Sequence, residues 1–494
     1  MIDIQITPAY FEYDVQSLVQ AFYPAHPFKV NGTVEESYRK LKVMYDRDMV
    51  TVQLYDRNKK LFEEHSKWNC SGIFDGEKSE NIDRRETKNV LKKLLYRLLS
   101  KDTQVELPWG NLTGIRPAKI PGMLFEQGLK EIEIRQIMKE TYLISDEKLD
   151  LAMDIAKREQ KLLTDINYQD GYSLYVGIPF CPTTCLYCSF TSYPISLYKD
   201  KADDYISALI KEIEFLGEKL KGRELNTVYI GGGTPTTLIP AQIDRLITAL
   251  KLNFDFDTVK EFTVEAGRPD SITREKLLTL KKHNVSRISI NPQTMNQTTL
   301  DIIGRKHTVE QVREAFDLAR ECGLDNINMD FIVGLPEENE EMVRCSMEEA
   351  MKLNPEGITV HSLAIKRASR LNIQKEDYSG MHMENSTRLM NITKDYAEKM
   401  GMKPYYLYRQ KNMTGNQENV GYSKEGYEGL YNILMMGDYQ NVWAVGAGAV
   451  TKLLSRDRKE GRRIDTLKNV NQYIERIDEM IARKAKVFET IDEK

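Results

Sequence analysis

The chain has 494 residues, 70 basic and 74 acidic side chains, a formal net charge of -4, and 41% hydrophobic and 29% charged residues. This is the make-up of a globular chain long enough for two or three domains, which excludes a disordered or fibrous protein. The near-balanced charge gives no general attraction to nucleic acid or anionic lipid.

Met1 to Gln20 has no basic region followed by an apolar one, and no run of 18 apolar residues occurs. A cytoplasmic protein with no membrane span is therefore expected. In chain order, Val50 to Tyr55 (VTVQLY) predicts a strand, and Glu86 to Leu99 a helix with Leu91, Leu94, Leu95 and Leu98 on one face. Residues 1–105 are expected as an α+β domain. Residues 106–170 read as a helical bridge, beginning with the turn-rich LPWGNLTGIRP of Leu107 to Pro117 and continuing in a charged helical stretch from Glu131 to Lys161. Trp109, Gly114, Arg116 and Pro117 are too distinctive for a plain linker.

From Ser173 short apolar runs alternate with helical patterns. The runs are Ser173 to Ile178, Thr227 to Ile230, Glu261 to Glu265, Val285 to Ile290, Asn326 to Val333 and Gly357 to Leu363. Helices are expected over Ala202 to Leu220, Ile239 to Leu250, Thr273 to His283, Val309 to Cys322 and Glu338 to Leu353. Six strand-then-helix units predict an α/β fold, a partial (β/α)6 barrel over residues 171–400. Residues 401–494 are expected as a small C-terminal α+β domain. It holds Pro404 to Gln410, the small-residue run Val445 to Val450 (VGAGAV) and a terminal helix over Arg463 to Glu489.

Six cysteines in so long a chain do not make a disulfide framework in a reducing compartment. Three of them, Cys181, Cys185 and Cys188, fall within eight residues of YVGIPFCPTTCLYCSF. A structural zinc site would need a distant fourth ligand, since no histidine lies within fifty residues. Three thiolates after a strand fit better with an iron-sulfur cluster that leaves one iron open. The loops at the C-terminal ends of parallel barrel strands form the active site. There the second strand runs into Gly231, Gly232, Gly233, Thr234 and Pro235. The third ends at Glu265, the fourth leads to Asn291 and Gln293, the fifth holds Asp330, and the sixth finishes near His361, Ser362 and Ala364. Polar groups at such positions need partners or a ligand. Cys70, Cys322 and Cys345 read as packing residues and His307 as a proton-donor candidate. Lys366, Arg367, Arg370, Arg409 and Lys411 are candidate contacts for an acidic substrate, and Arg456 to Arg463 reads as a surface loop.

Taken together, YxxIPFCxxxCxYC, GGGTPT, the strand-end Glu, the later Gln and Arg, and NMDFIVGLP resemble the radical S-adenosylmethionine superfamily. Within it the chain looks most like the HemZ branch of the oxygen-independent coproporphyrinogen III dehydrogenase group. The resemblance implies that Cys181, Cys185 and Cys188 hold a [4Fe-4S] cluster whose fourth iron binds S-adenosylmethionine. It further implies cofactor contacts from Tyr175, Tyr187, Gly232, Gly233, Thr234, Glu265, Gln293, Arg305, Asp330, Ala364 and Val450. The implied reaction is anaerobic oxidative decarboxylation of porphyrinogen propionates to vinyl groups, started by a 5′-deoxyadenosyl radical. The implied partners are a tetrapyrrole substrate and a low-potential electron donor of flavodoxin or ferredoxin type. Two departures from the dehydrogenases stand out: Phe190 replaces a further cysteine and Gly177 a histidine. Phe190 is what the related haem-chaperone branch carries, yet the His-Asn…Tyr-Trp element of that branch reads here as Glu418 to Ser423 (ENVGYS). A haem chaperone and a radical methyltransferase are thus the alternatives.

Overall fold

The structure is a computed structural model. It describes residues 1–494 except 25, 33, 35, 47, 68–83, 115, 367, 374–379, 411–412, 456–457, 459–460 and 492–494. Cys70, Arg367, Lys411 and part of the run 456–463 therefore lie outside the described residues. Two compact units are distinguished, Met1–Ala156 with Arg409–Asn412, and Lys157–Tyr408 with Met413–Lys494. The division falls inside the helix Asp146–Leu163.

In the first unit, strands β1 (Ile2–Thr7), β2 (Phe28–Val30), β3 (Arg39–Tyr45), β4 (Met49–Asp56) and β5 (Lys59–Lys67) form one sheet, ordered β2-β1-β3-β4-β5. Alternation along β4 turns Val50, Val52 and Leu54 inward. They join Leu91, Leu95 and Leu98 of the helix Arg84–Thr103 in one core. Arg409 also belongs here. It is buried, with its guanidinium over the Trp109 ring and Nη1 donating to the Leu112 carbonyl at 2.6 Å. One donor of this candidate substrate contact is thus taken by the chain's own backbone.

The second unit is built on an 11-stranded sheet. Its centre is β6 (Tyr172–Ile178), β9 (Leu225–Gly232), β10 (Glu261–Gly267), β11 (Arg287–Ile290), β12 (Ile327–Val333) and β13 (Gly357–Ser362), each parallel to the next. Helices Ala202–Lys219, Pro240–Asn253, Arg274–Lys282, Val309–Glu321 and Glu340–Leu353 connect them. These are the six expected units, and the fold is a partial barrel. Two short strands in the connection after β6, β7 (Phe180–Cys181) and β8 (Tyr193–Pro194), pair with each other.

The C-terminal part is α+β in content and shares its sheet with the barrel. Strands β14 (Lys403–Tyr408) and β15 (Asn419–Ser423) add antiparallel beyond β13. At the other edge β16 (Asn441–Val445) lies parallel to β6, followed by β17 (Val450–Leu454) and β18 (Gly461–Asp465). The expected terminal helix is corrected. Arg463 is on β18, paired with Lys452, and helices Val470–Glu475 and Ile477–Ile491 follow. The Asn469 side chain accepts from Gln472 N and so sets the helix start that the charge pattern concealed. Among the described residues no helix is long and apolar enough to cross a membrane.

The loop between β16 and β17 is the VGAGAV run. Glu212, fully buried, accepts from Gly446 N at 2.9 Å and from the Tyr473 hydroxyl at 2.5 Å, and is paired with the equally buried Lys484. The Tyr205 hydroxyl accepts from Ala447 N at 3.0 Å and donates to the Gly177 carbonyl at 2.6 Å, tying this loop to the end of β6. Replacing Lys484 by Met leaves the Glu212 carboxyl buried without its cation. The expected loss is about 3–5 kcal/mol of stability, measured as a lower urea midpoint; a wild-type midpoint would show that the pair does not hold the terminal helix.

Candidate active site

The cysteine loop leaves the C-terminal end of β6, and main-chain bonds hold it on two sides. Gly233 N donates to the Ile178 carbonyl and Thr234 N to the Phe180 carbonyl, both at 2.7 Å. Leu186 N donates to the Ile303 carbonyl at 2.9 Å, and the Leu186 carbonyl accepts from Leu371 N at 3.1 Å. The Leu186 side chain packs with Leu300, Ile303, Ile332, Leu335, Leu363 and Leu371. One apolar residue between Cys185 and Cys188 thus anchors the loop on the ends of the neighbouring strands.

The glycines of GGGTP serve this approach. A Cβ on Gly233 would lie 2.5 Å from the Phe180 carbonyl oxygen and 3.0 Å from Cys181 Sγ, and Gly232 has φ +109°. The Thr234 hydroxyl points at Cys181 Sγ, 3.6 Å away. Burial pushes the Cys181 thiol up to about 11 and raises that of Cys188, opposed by the Thr234 hydroxyl and the Phe190 amide respectively. At neutral pH both carry protons that a metal must displace.

Glu265 ends the next strand. One oxygen accepts from the Tyr229 hydroxyl at 2.5 Å and the other from Gly232 N at 3.3 Å. Burial raises its carboxyl to about 7 against the opposing Tyr229 bond. Tyr175 stacks on Tyr229 and on Tyr431 at centroid separations of 6.2 and 6.4 Å, and Tyr229 on Tyr431 at 4.5 Å. Tyr431 belongs to the short helix Leu430–Met436, whose first amides, Leu430 N and Tyr431 N, donate to the buried Glu261. Tyr229 and Tyr431 were not singled out from sequence. Tyr229 leaves a signal there, a hydroxyl inside an apolar strand.

Farther along the sheet, Gln293 is buried with φ +70°, a conformation L side chains avoid. Its N–H donates to the Asp330 carbonyl and its carbonyl accepts from Ile332 N, both at 2.9 Å. Asp330 accepts from Asn328 Nδ2 at 2.7 Å and lies 3.8 Å from His361 Nε2, while the Tyr408 hydroxyl is 3.4 Å from His361 Nδ1. Arg305 is buried, donates to the Asn291 carbonyl at 2.5 Å, and has Tyr187 and Cys185 beside it. Ala364 bridges to Met413, and Val450 begins β17, 38% exposed. The structure therefore sets Gly233 and Thr234 against Cys181, Tyr175 and Glu265 against Gly232, Arg305 against Tyr187 and Cys185, and Gln293 beside Asp330. Val450 stands on the rim.

Burial, then the Arg305 charge, depress the His307 imidazole to about 3. Lys366 sits with its ammonium 5.4 Å from the Phe190 ring centroid.

Residues 175–350 match the radical SAM superfamily. Over 485 residues the chain is 37% identical to the oxygen-independent coproporphyrinogen-III oxidase-like protein HemZ of Bacillus subtilis (strain 168), spanning 97% of this chain and 96% of that one. The chain belongs to the radical SAM superfamily, in the family of HemZ. It is also 31% identical over 330 residues to the heme chaperone HemW of Lactococcus lactis subsp. lactis (strain IL1403), covering 65% of this chain and 80% of that protein. The radical SAM coproporphyrinogen III oxidase HemN of Escherichia coli shares the fold, with a TM-score of 0.50 and 23% identity over 65% of this chain and 73% of that one. The cofactors are accordingly a [4Fe-4S] cluster and S-adenosylmethionine.

The residues fit these groups. Three thiols share one loop, and among the described residues no three His, Cys, Asp or Glu side chains converge as ligands of a single ion. Cluster ligands bind separate irons and need not converge. Asn291 Oδ1 and Arg305 Nε are buried with no hydrogen-bond partner, capacity that a polar ligand would use.

The Glu265 carboxyl yields a pH prediction. Its folded value, about 7, lies above the ordinary 4.5. The stability this contributes is fully present below pH 4.5 and is lost as pH rises through about 7. Glu265→Gln, which stays neutral, is expected to gain on the wild type across that interval in urea unfolding; parallel pH profiles would contradict a raised carboxyl.

Proposed function

We propose that this chain is a radical SAM oxidoreductase that converts coproporphyrinogen III propionates to vinyl groups with release of carbon dioxide, giving protoporphyrinogen IX. The supporting observation is the pinned cysteine loop after β6, with Gly233 and Thr234 against Cys181, Glu265 on Gly232, and Arg305 against Tyr187 and Cys185. Cys181, Cys185 and Cys188 are the cluster ligands in this reading, which leaves one iron for the cofactor. When bound, the reduced cluster and S-adenosylmethionine supply a radical able to abstract hydrogen.

The chain's own residues bind and orient. The Arg305 guanidinium suits a carboxylate fork, Thr234 and the Gly232 and Gly233 backbone suit the methionyl amino end, and Asp330 and Gln293 suit ribose hydroxyls. Tyr187 is the adenine contact, and Ala364 and Val450 contribute backbone and packing. The stacked Tyr175, Tyr229 and Tyr431 fill the space behind Glu265 and exclude water from it. A tetrapyrrole is the substrate, a flavodoxin or ferredoxin type donor supplies the electron that starts the reaction, and the electron the substrate gives up as carbon dioxide leaves passes to a one-electron acceptor.

A second reading, a haem chaperone of the same family, is favoured by Phe190, which stands 68% exposed where the dehydrogenases carry a further cysteine. The two separate in one assay. The reduced, reconstituted protein with S-adenosylmethionine and coproporphyrinogen III under anaerobic conditions is expected to form 5′-deoxyadenosine and protoporphyrinogen IX. Cofactor cleavage with coproporphyrinogen left intact would contradict the oxidoreductase reading, and stoichiometric haem binding and transfer in its place would establish the chaperone.

A further inference from the structure

Beside the cysteine loop lies an ion pair with no place in the cofactor contacts above. Arg268, the first residue after β10, is 2% exposed. Its Nε and Nη2 form a fork on Asp270 at 2.9 and 2.6 Å, while Nη1 donates to the Thr183 hydroxyl at 2.5 Å and to the Thr183 carbonyl at 3.3 Å. Thr183 lies midway between Cys181 and Cys185, and its hydroxyl donates in turn to the Gly304 carbonyl at 3.3 Å. One guanidinium therefore holds the middle of the loop through both side chain and main chain.

Burying a guanidinium is a costly way to fix a loop if packing is the only need, and Arg268 is buried while its partner Asp270 reaches solvent. What apolar residues cannot supply is charge. Arg268 is held on Thr183, two residues from both Cys181 and Cys185, and Arg305 is bonded to Cys185, so cations stand along the ligand loop. A cluster becomes more negative by one unit on reduction, and its potential follows the local charge and solvent exposure. Arg305 is committed to the cofactor, and Lys366 sits by the exposed Phe190. Arg268 is 2% exposed, so bulk salt screens its guanidinium little.

We propose that the Arg268–Asp270 pair is a positioning element of the cluster site, clamping Thr183 in the ligand loop and setting the cluster's reduction potential through the guanidinium edge turned toward that loop. Asp270, on the other edge, tempers the charge. This deepens the function proposed above and rests on Cys181, Cys185 and Cys188 being the ligands.

The test is an anaerobic redox titration of the reconstituted full-length protein, followed by the electron paramagnetic resonance of the reduced cluster, with iron and sulfide measured on the same samples. Arg268→Met is expected to move the midpoint to more negative potential. Asp270→Asn, which leaves the guanidinium on Thr183 without its counter-charge, is expected to move it the opposite way. Arg268→Lys is expected to restore most of the midpoint while binding less iron, because it keeps the charge and loses the fork. If Arg268→Met fails to load a cluster, Asp270→Asn still decides: a positive shift supports the inference and a wild-type midpoint overturns it. Wild-type midpoints in fully loaded Arg268→Met and Asp270→Asn overturn the inference alone. Full cluster retention in Cys185→Ala would instead overturn the ligand assignment, and this inference with it.

Discussion

The site depends on eight residues of chain, Cys181 to Cys188, being held open in one shape with no secondary structure of their own beyond the first residue. A flexible loop that carried three thiols would bind iron, but it would not keep one coordination position facing a chosen direction. Here the constraint is distributed. Gly233 and Thr234 fix the start of the loop, Thr183 is held from Arg268, and Leu186 is tied through both its amide and its carbonyl. Each such bond is worth only about 0.5–1.5 kcal/mol net. Their value lies in coming from the turn after β9, from the segment after β10, from the residues before His307 and from the helix Arg370–Ile373. The loop is correct only when the barrel is complete.

That dependence explains why the C-terminal part shares the barrel's sheet. Six parallel strands leave two open edges, and an open edge invites pairing with another chain. Strands β15 and β14 cover one edge and β16 to β18 the other. On the β6 side the cover also reaches the site, since the loop after β16 is fastened to Gly177 through Tyr205 and to the terminal helix through Glu212. The small residues of that loop are required by space. A Cβ on Gly446 would stand 2.4 Å from the Gly177 carbonyl oxygen.

Much of this was legible in the residues. The alternation of apolar runs and helical patterns gave the six units nearly to the residue, because each parallel strand is buried on both faces and each connecting helix on one. The cysteine cluster was legible because cysteine is rare in the chain. Glu265 and Asp330 stood out as charge in or at the end of apolar strands. Other features were hidden because their meaning lies in pairings across the sequence. Glu212 and Lys484 look like ordinary surface charges on two helices until 272 positions of chain bring them together. Arg409 read as a substrate cation because sequence cannot show that Trp109 covers it. The turn of chain at Arg463 was read as helix because charged residues carry no register, and only the pairing with Lys452 makes it a strand.

The central claim is that three cysteines hold a cluster with one iron open to S-adenosylmethionine. It is tested most directly by the electron paramagnetic resonance of the dithionite-reduced, reconstituted protein before and after the cofactor is added. A change in the cluster signal on addition, absent when Cys181, Cys185 or Cys188 is replaced by Ala, is the predicted result. A cluster signal that is identical with and without the cofactor would contradict the open iron and the account built on it.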